Sequence, residues 1–282
     1  GYWDFELIKN VRKNFSTIKD VASQNNLIMK KGLQDNDGDK KDSSNLVGRK
    51  ILDSEEALDH FYLNESAYTI FNKDKIHRPR NPEIYKAPYV LFKKGLDCAD
   101  YSIRAVYTES DFLYRETINC IKGSEKDKKT LLNLCGLLNS SLFSYFNLML
   151  GSSTGIEREQ IFLEELGNYP YVYNDELVEL VEKMQREEWG KNRNELQVAL
   201  NQCVMRMYGL QDNYFVDYAL SIQIPMLCGT YQETKCDTKT MKEYVSILSK
   251  IWDEHFGQSN VHYKITIYPD IKGKFAAVQV KL

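Results

Sequence analysis

The sequence predicts a mixed α/β protein: a β-rich first domain with packed helices, then a helical segment, then a small C-terminal α-β-β module. Three observations carry that expectation. Short apolar runs bounded by turn residues fill the first half, Tyr89-Val90-Leu91-Phe92 being the clearest. Apolar residues then recur at helical spacing from Leu131 to Met149 and again from Leu177 to Met207. Near the end, a helical pattern (Met241, Tyr244, Val245, Leu248, Trp252) precedes two strand-like segments. The divisions fall at residues 1–172, 173–232 and 233–282.

Taken in order, Phe15 to Ala22 reads as a short helical turn capped by Ser16 or Thr17. Lys30 to Asp39 is rich in Gly, Asn and Asp, which predicts a disordered loop. Within it, Gln34 and Asn36 have side chains suited to a base edge. Tyr68 to Phe71 alternates weakly, and Arg78-Pro79-Arg80-Asn81-Pro82 blocks regular pairing. Tyr89–Phe92, closed by Lys93-Lys94-Gly95, suits a strand buried on both faces. Ile103–Tyr107 and Phe112–Tyr114 resume the sheet. One helix is expected from about Lys128 to Leu150, stopped by Gly151, and a second from Ile156 to Leu166 with Ser153 or Thr154 as its cap. Free N–H groups and hydroxyls at such a start would suit a phosphate, although a plain capped connection has the same sequence. The two closing strands, Tyr263–Ile267 and Phe275–Val280, are joined by a turn through Pro269-Asp270 and Gly273.

With 43% hydrophobic and 27% charged residues in 282, the chain has the balance of a globular protein with a core. No apolar stretch approaches the roughly 18 residues that span a bilayer, so no membrane partner is expected. The start at Gly1 carries no basic or apolar leader and no initiator Met, so a piece of a longer protein is expected. Net charge is −3, but it is unevenly spread. Phe71–Gly95 holds seven basic residues against Asp74 and Glu83, a net of +5, whereas Glu157–Glu188 holds ten acids against three bases, a net of −7. The first segment would attract a polyanion and the second would repel one.

Six cysteines without a C-x-x-C pair, and only four histidines, argue against structural zinc and for a reducing, cytoplasmic compartment. The common phosphate-loop, dinucleotide, serine-hydrolase and zinc-protease motifs are absent. Two near-motifs remain. Asn168-Tyr169-Pro170-Tyr171 approaches the Asn-Pro-Pro-Tyr loop of amino-methyltransferases, but Tyr169 replaces the first Pro and no Gly-rich turn precedes it; a helix-ending Pro explains it better. Pro269-Asp270 followed by Gln279-Val280-Lys281 approaches a nuclease metal site, but lacks the second carboxylate, so a hairpin turn is the simpler reading.

Several ordered stretches resemble one family. Arg78 to Gly95, Arg104-Ala105-Val106, Asp111-Phe112, Leu134 to Tyr145 (LCGLLNSSLFSY), Gly151 to Ile161 and Asn168-Tyr169-Pro170 look like the target recognition domain of type IIG restriction-modification enzymes. Related N6-adenine DNA methyltransferases and type I specificity subunits share that arrangement, and Val204 to Leu210 is similar to the helical stretch that follows it. The resemblance covers about residues 15–215 and leaves 235–282 unplaced. It implies sequence-specific binding of double-stranded DNA beside a methyltransferase domain of the same polypeptide, N-terminal to Gly1. That domain would use S-adenosylmethionine; no cofactor is expected in this chain.

Charge and resemblance together put Lys30, Lys31, Gln34, Arg78, Arg80, Lys93, Lys94, Arg104, Ser152, Ser153 and Thr154 on the DNA-facing surface. Arg78 and Arg80 are the expected base readers, since a guanidinium can grip guanine O6 and N7, while lysines and hydroxyls position phosphates. No catalytic or metal-binding residue is expected. The alternatives are a nuclease module using Asp270 and Lys281, or a protein-interaction arm built on the acidic helices.

Overall fold

A computed structural model describes residues 2–35, 38–52, 54–154, 159–186, 191–231, 238–256, 262–268 and 275–281. Its helices are α1 (Tyr2–Asn14), α2 (Ile18–Gln24), α3 (Lys128–Leu138), α4 (Ser141–Leu150), α5 (Leu163–Gly167), α6 (Asp175–Arg186), α7 (Lys191–Met207), α8 (Tyr214–Tyr218), α9 (Ile224–Leu227) and α10 (Thr238–Phe256). The principal strands are β1 (Ile28–Lys31), β2 (Tyr89–Lys93), β3 (Ala105–Thr108), β4 (Ile118–Lys122), β5 (His262–Tyr268) and β6 (Phe275–Lys281). The mixed α/β class is as the sequence predicts. None of the described helices is long and apolar enough to cross a membrane.

Strands β1–β4 form one antiparallel sheet in the order β3-β2-β4-β1. Alternation along β2 sends Val90 and Phe92 to one face and Tyr89 and Leu91 to the other, and both faces are buried. The uninterrupted apolar run of β2 follows from this, because the sheet divides two cores. On one side pack the helices; Gly136 of α3 lets α6 approach so closely that an added Cβ would lie 2.8 Å from Leu177 and Val181. On the other side lies a small sheet of Leu113–Tyr114, Lys50–Leu52 and Tyr68–Ile70. There Tyr89, Phe112 and Tyr114 meet edge to face.

The chain divides into two compact units, Gly1–Tyr231 and Gln232–Leu282. The expected separate helical segment belongs to the larger one, because Leu177, Val181, Leu200 and Val204 are buried in the same core as the sheet. In the smaller unit α10 packs on the β5–β6 hairpin, whose register pairs Ile265 with Val278. The Pro269-Asp270 turn lies outside the described residues.

Several local expectations need correction. The Lys30–Asp39 stretch begins ordered: Lys30 and Lys31 lie in β1, paired with Cys120 and Asn119, and Gln34 bridges Arg78. Asn36 is outside the described residues. The helix expected over 128–150 is broken at Asn139-Ser140, where side-chain bonds replace the helical ladder. The hydroxyls of Ser153 and Thr154 donate to the Gln160 and Asn147 carbonyls; residues 155–158, which hold the start of the expected helix, lie outside the described residues, and in the rest of that stretch only Leu163–Gly167 is helical. The helix ends at Gly167 with Asn168 as its C-cap, two residues before Pro170, and Pro170-Tyr171 pairs with Ser16-Thr17. Tyr171, at the position of the stacking aromatic in the methyltransferase loop, is buried and paired with Ser16, so its ring is closed to a flipped base. The Thr17 cap is as expected, its hydroxyl accepting from Asp20 N–H.

Candidate nucleic-acid interface

Lys30 and Lys31 end β1, an edge strand of the sheet. The chain then turns at Gly32, where a Cβ would lie 2.2 Å from the Tyr114 carbonyl oxygen and 2.3 Å from that of Arg115, so only glycine fits. Beyond it, Gln34 and Arg78 exchange backbone hydrogen bonds of 3.0 and 2.9 Å. The Tyr85 hydroxyl donates to the Pro79 carbonyl at 3.0 Å. Arg80 has a left-handed backbone (φ 65°), a conformation costly for a non-glycine residue, and its Nε donates to the Gly32 carbonyl at 3.1 Å. That bond leaves both Nη groups of Arg80 without a hydrogen-bond partner among the described residues. The Arg78-Pro79-Arg80 segment, separated from Lys31 by almost fifty residues of sequence, is thereby fastened beside it.

Lys94 arrives from the end of β2. Its N–H donates to the Thr117 carbonyl at 2.7 Å, and its own carbonyl accepts from Ile161 N–H at 2.9 Å. The result is a cleft of about 850 Å³ with Lys19, Lys30, Lys31 and Arg80 along it and Phe162 and Glu164 also lining it. Arg80 joins it to a second hollow of about 400 Å³, lined by Lys41, Arg78, Pro79 and Arg80.

The cleft gathers Lys19, Lys30, Lys31 and Arg80, with Glu164 and Glu165 also on its wall. Burial lowers the pKa of the Lys31 ammonium, and the neighbouring Lys94 and Arg80 charges lower it further; Glu164 opposes them. Among the described residues, Lys30, Lys31, Arg78, Arg80 and Lys94 have no ion-pair partner. By contrast, Lys73 and Arg115 both grip Asp35, at 2.5 and 3.2 Å. Like charges held together in this way favour an incoming polyanion. The Phe162 ring, with the Lys31 ammonium 6.0 Å from its centroid, adds a flat apolar surface.

Not every expected contact residue joins this cluster. Arg104 is ion-paired with Asp97 and, at 3.3 Å, with Asp59, so its charge is spent within the fold. Ser152 donates to Glu165, the buried Ser153 to the Gln160 carbonyl at 2.6 Å, and Thr154 to the Asn147 carbonyl at 2.7 Å. These four tie loops together and are left out of the candidate interface. Neither Lys93 nor Lys94 lines the two hollows; Lys94 is kept because its charge acts on Lys31, whereas Lys93 follows the alternation of Tyr89 and Leu91. Lys19, Lys41 and Phe162, which do line the two hollows, went unpredicted. Their only sequence signal is a cation in each of two polar segments and an aromatic beside acids, too common to single out.

Among the described residues no group of three or more His, Cys, Asp or Glu side chains is placed to hold a metal ion. A scan against protein-family models gives no match, and neither does a search of curated proteins.

Proposed function

We propose that this chain binds double-stranded DNA sequence-specifically, as the target recognition part of a bacterial restriction-modification adenine methyltransferase. The catalytic domain, with its S-adenosylmethionine, would belong to another part of the same polypeptide. The observation that carries the reading is a group of five cations without an ion-pair partner among the described residues: Lys30, Lys31 and Arg80 line one cleft, Arg78 lines the hollow that Arg80 joins to it, and the Lys94 charge acts on Lys31. The ordered resemblance of residues 15–215 to target recognition domains supports it. In this reading the lysines set register on phosphates, while Arg80, fastened through Nε, offers its free Nη pair to a base edge. A cytoplasmic location belongs to the same proposal: Cys98, Cys120, Cys135, Cys203 and Cys228 are free thiols.

Fluorescence anisotropy with a labelled duplex, between about 50 and 200 mM salt, tests the proposal. Phosphate contacts from Lys30, Lys31 and Lys94 give a log–log slope of roughly −2.7, and removing Lys31 and Lys94 shallows it by about 1.8. The triple variant Lys31→Ala, Arg80→Ala, Lys94→Ala is therefore expected to bind weakly and with a much flatter salt response. Affinity that ignores salt, or a triple variant that binds like the parent, refutes the reading.

A further inference from the structure

A second cavity, of about 410 Å³, lies within the larger unit where the α3–α4 break, α7 and the turn before α9 meet. Its hydrogen-bonding character can be worked out atom by atom. The Asn139 Nδ2 donates to the carbonyls of Ala105 and Cys135, both at 2.9 Å, so its Oδ1 is the atom that accepts from Ala105 N–H at 3.1 Å. The His60 Nδ1, 2.7 Å from that same Oδ1, donates to it, and Nε2 lies 3.4 Å from the Ser102 hydroxyl. Gln197 Nε2 donates to the Asn139 carbonyl at 3.1 Å, which leaves Gln197 Oε1 open. Asn201 Oδ1 accepts from Ser141 N–H at 3.0 Å and from Gln197 Nε2 at 3.2 Å, which leaves the Asn201 Nδ2 donors open. Ser144 is only 3% exposed, lines the cavity, and its hydroxyl has no partner among the described residues.

The cavity therefore presents a free acceptor and a free donor one helical turn apart on α7, with a free hydroxyl from α4. Leu220, Ile224 and Met184 supply apolar wall. Leu220 stands in a π-helical turn, Ala219–Gln223, a rare conformation that often marks a ligand site. Formal charge is balanced, since Arg193 and Asp100 both line the space. This differs sharply from the basic cleft. An uncharged ligand with both donor and acceptor atoms satisfies these features, and the volume falls near the low end of the roughly 300–1,000 Å³ usual for small-molecule pockets.

We propose that this cavity binds a nucleobase, either as a free nucleoside or as a base extruded from a nucleic acid. The carboxamides of Gln197 and Asn201 would pair with its edge, as Asn and Gln side chains do with bases elsewhere. The full chain is titrated calorimetrically with adenosine, guanosine, cytidine and thymidine, and separately with a duplex carrying one 2-aminopurine. Asn201→Asp keeps the oxygen that Ser141 and Gln197 need but removes the free donor, and is expected to weaken binding of the preferred nucleoside roughly tenfold or more. Leu220→Trp fills the space and is expected to abolish it, without altering the salt slope of duplex binding. Nucleoside heat alone identifies a free ligand; 2-aminopurine brightening that Leu220→Trp removes identifies an extruded base. No response to any of these probes, or equal binding by both variants and the parent, overturns the proposal. Failure of duplex binding through the basic cleft leaves the nucleoside titration intact, so the two readings fail separately.

Discussion

Asn139 is the residue whose replacement tests the architecture most directly. It sits where the α3–α4 ladder breaks, and its carboxamide closes the outer edge of the main sheet by accepting from Ala105 N–H and donating to Ala105 C=O. Asn139→Leu preserves most of the side-chain bulk, so the loss is one of polar pairing and not of packing. The Ala105 carbonyl keeps its bond from Phe61 N–H at 2.8 Å, and the Cys135 carbonyl keeps Asn139 N–H at 3.2 Å. Two donors are left without a partner: Ala105 N–H, which is fully buried, and His60 Nδ1–H. At roughly 1–3 kcal/mol for the buried Ala105 N–H and less for the half-buried His60, the expected loss is about 2–3 kcal/mol. Urea unfolding followed by circular dichroism measures it as a lower midpoint for the larger unit with an unchanged slope. A loss under about 1 kcal/mol refutes the claim that Asn139 holds the sheet edge to the helix break.

Two further outcomes follow from named contacts. Gly136→Ala forces a methyl to within 2.8 Å of Leu177 and Val181; overpacking of about 1–3 kcal/mol outweighs the gain in helix propensity, and the midpoint falls. The hydrogen bond from Lys73, aided by Arg115, holds the Asp35 carboxyl below its ordinary value of 3.8. A depressed folded-state pKa adds stability that is complete above the unfolded value and fades as pH falls through the folded one. Asp35→Asn is therefore expected to lower stability at neutral pH, by about 1 kcal/mol or less for so open a pair, and to change little once pH drops well below 3.8. A pH-independent difference between the two proteins would show that the ion pairs are not its source.

The wider value of the basic cleft lies in how it is assembled. Arg80 reaches it because Gly32 leaves a carbonyl free to accept its Nε and because Tyr85 pins Pro79. Arg104, equally basic and in an equally suggestive motif, is lost to Asp97 and Asp59. A charge count along the sequence cannot separate these cases, since it treats a paired and an unpaired guanidinium alike. What distinguishes them is the identity of the side chain across the gap, which comes from another part of the chain.

Local patterning alone determined the parts whose causes are local. The apolar run of β2 announced burial on both faces, the 3.6-residue spacing announced α3, α4, α6 and α7, and Thr17 announced the start of α2. The C-terminal helix and hairpin were legible for the same reason: each hydrogen-bonds within itself or with its neighbour in sequence. Tertiary structure decided the rest. Asn139 ends a helix that apolar spacing would continue, because Ala105, thirty-four residues away, offers it better partners. Ser153 and Thr154 bond through their hydroxyls to the carbonyls of Gln160 and Asn147. Lys31, Arg80 and Lys94 become one site only when the sheet edge, a pinned loop and the end of β2 are brought together. Periodicity is written in neighbouring residues, whereas charge pairing and hydrogen-bond competition depend on which distant groups the folded chain places within about 3–4 Å.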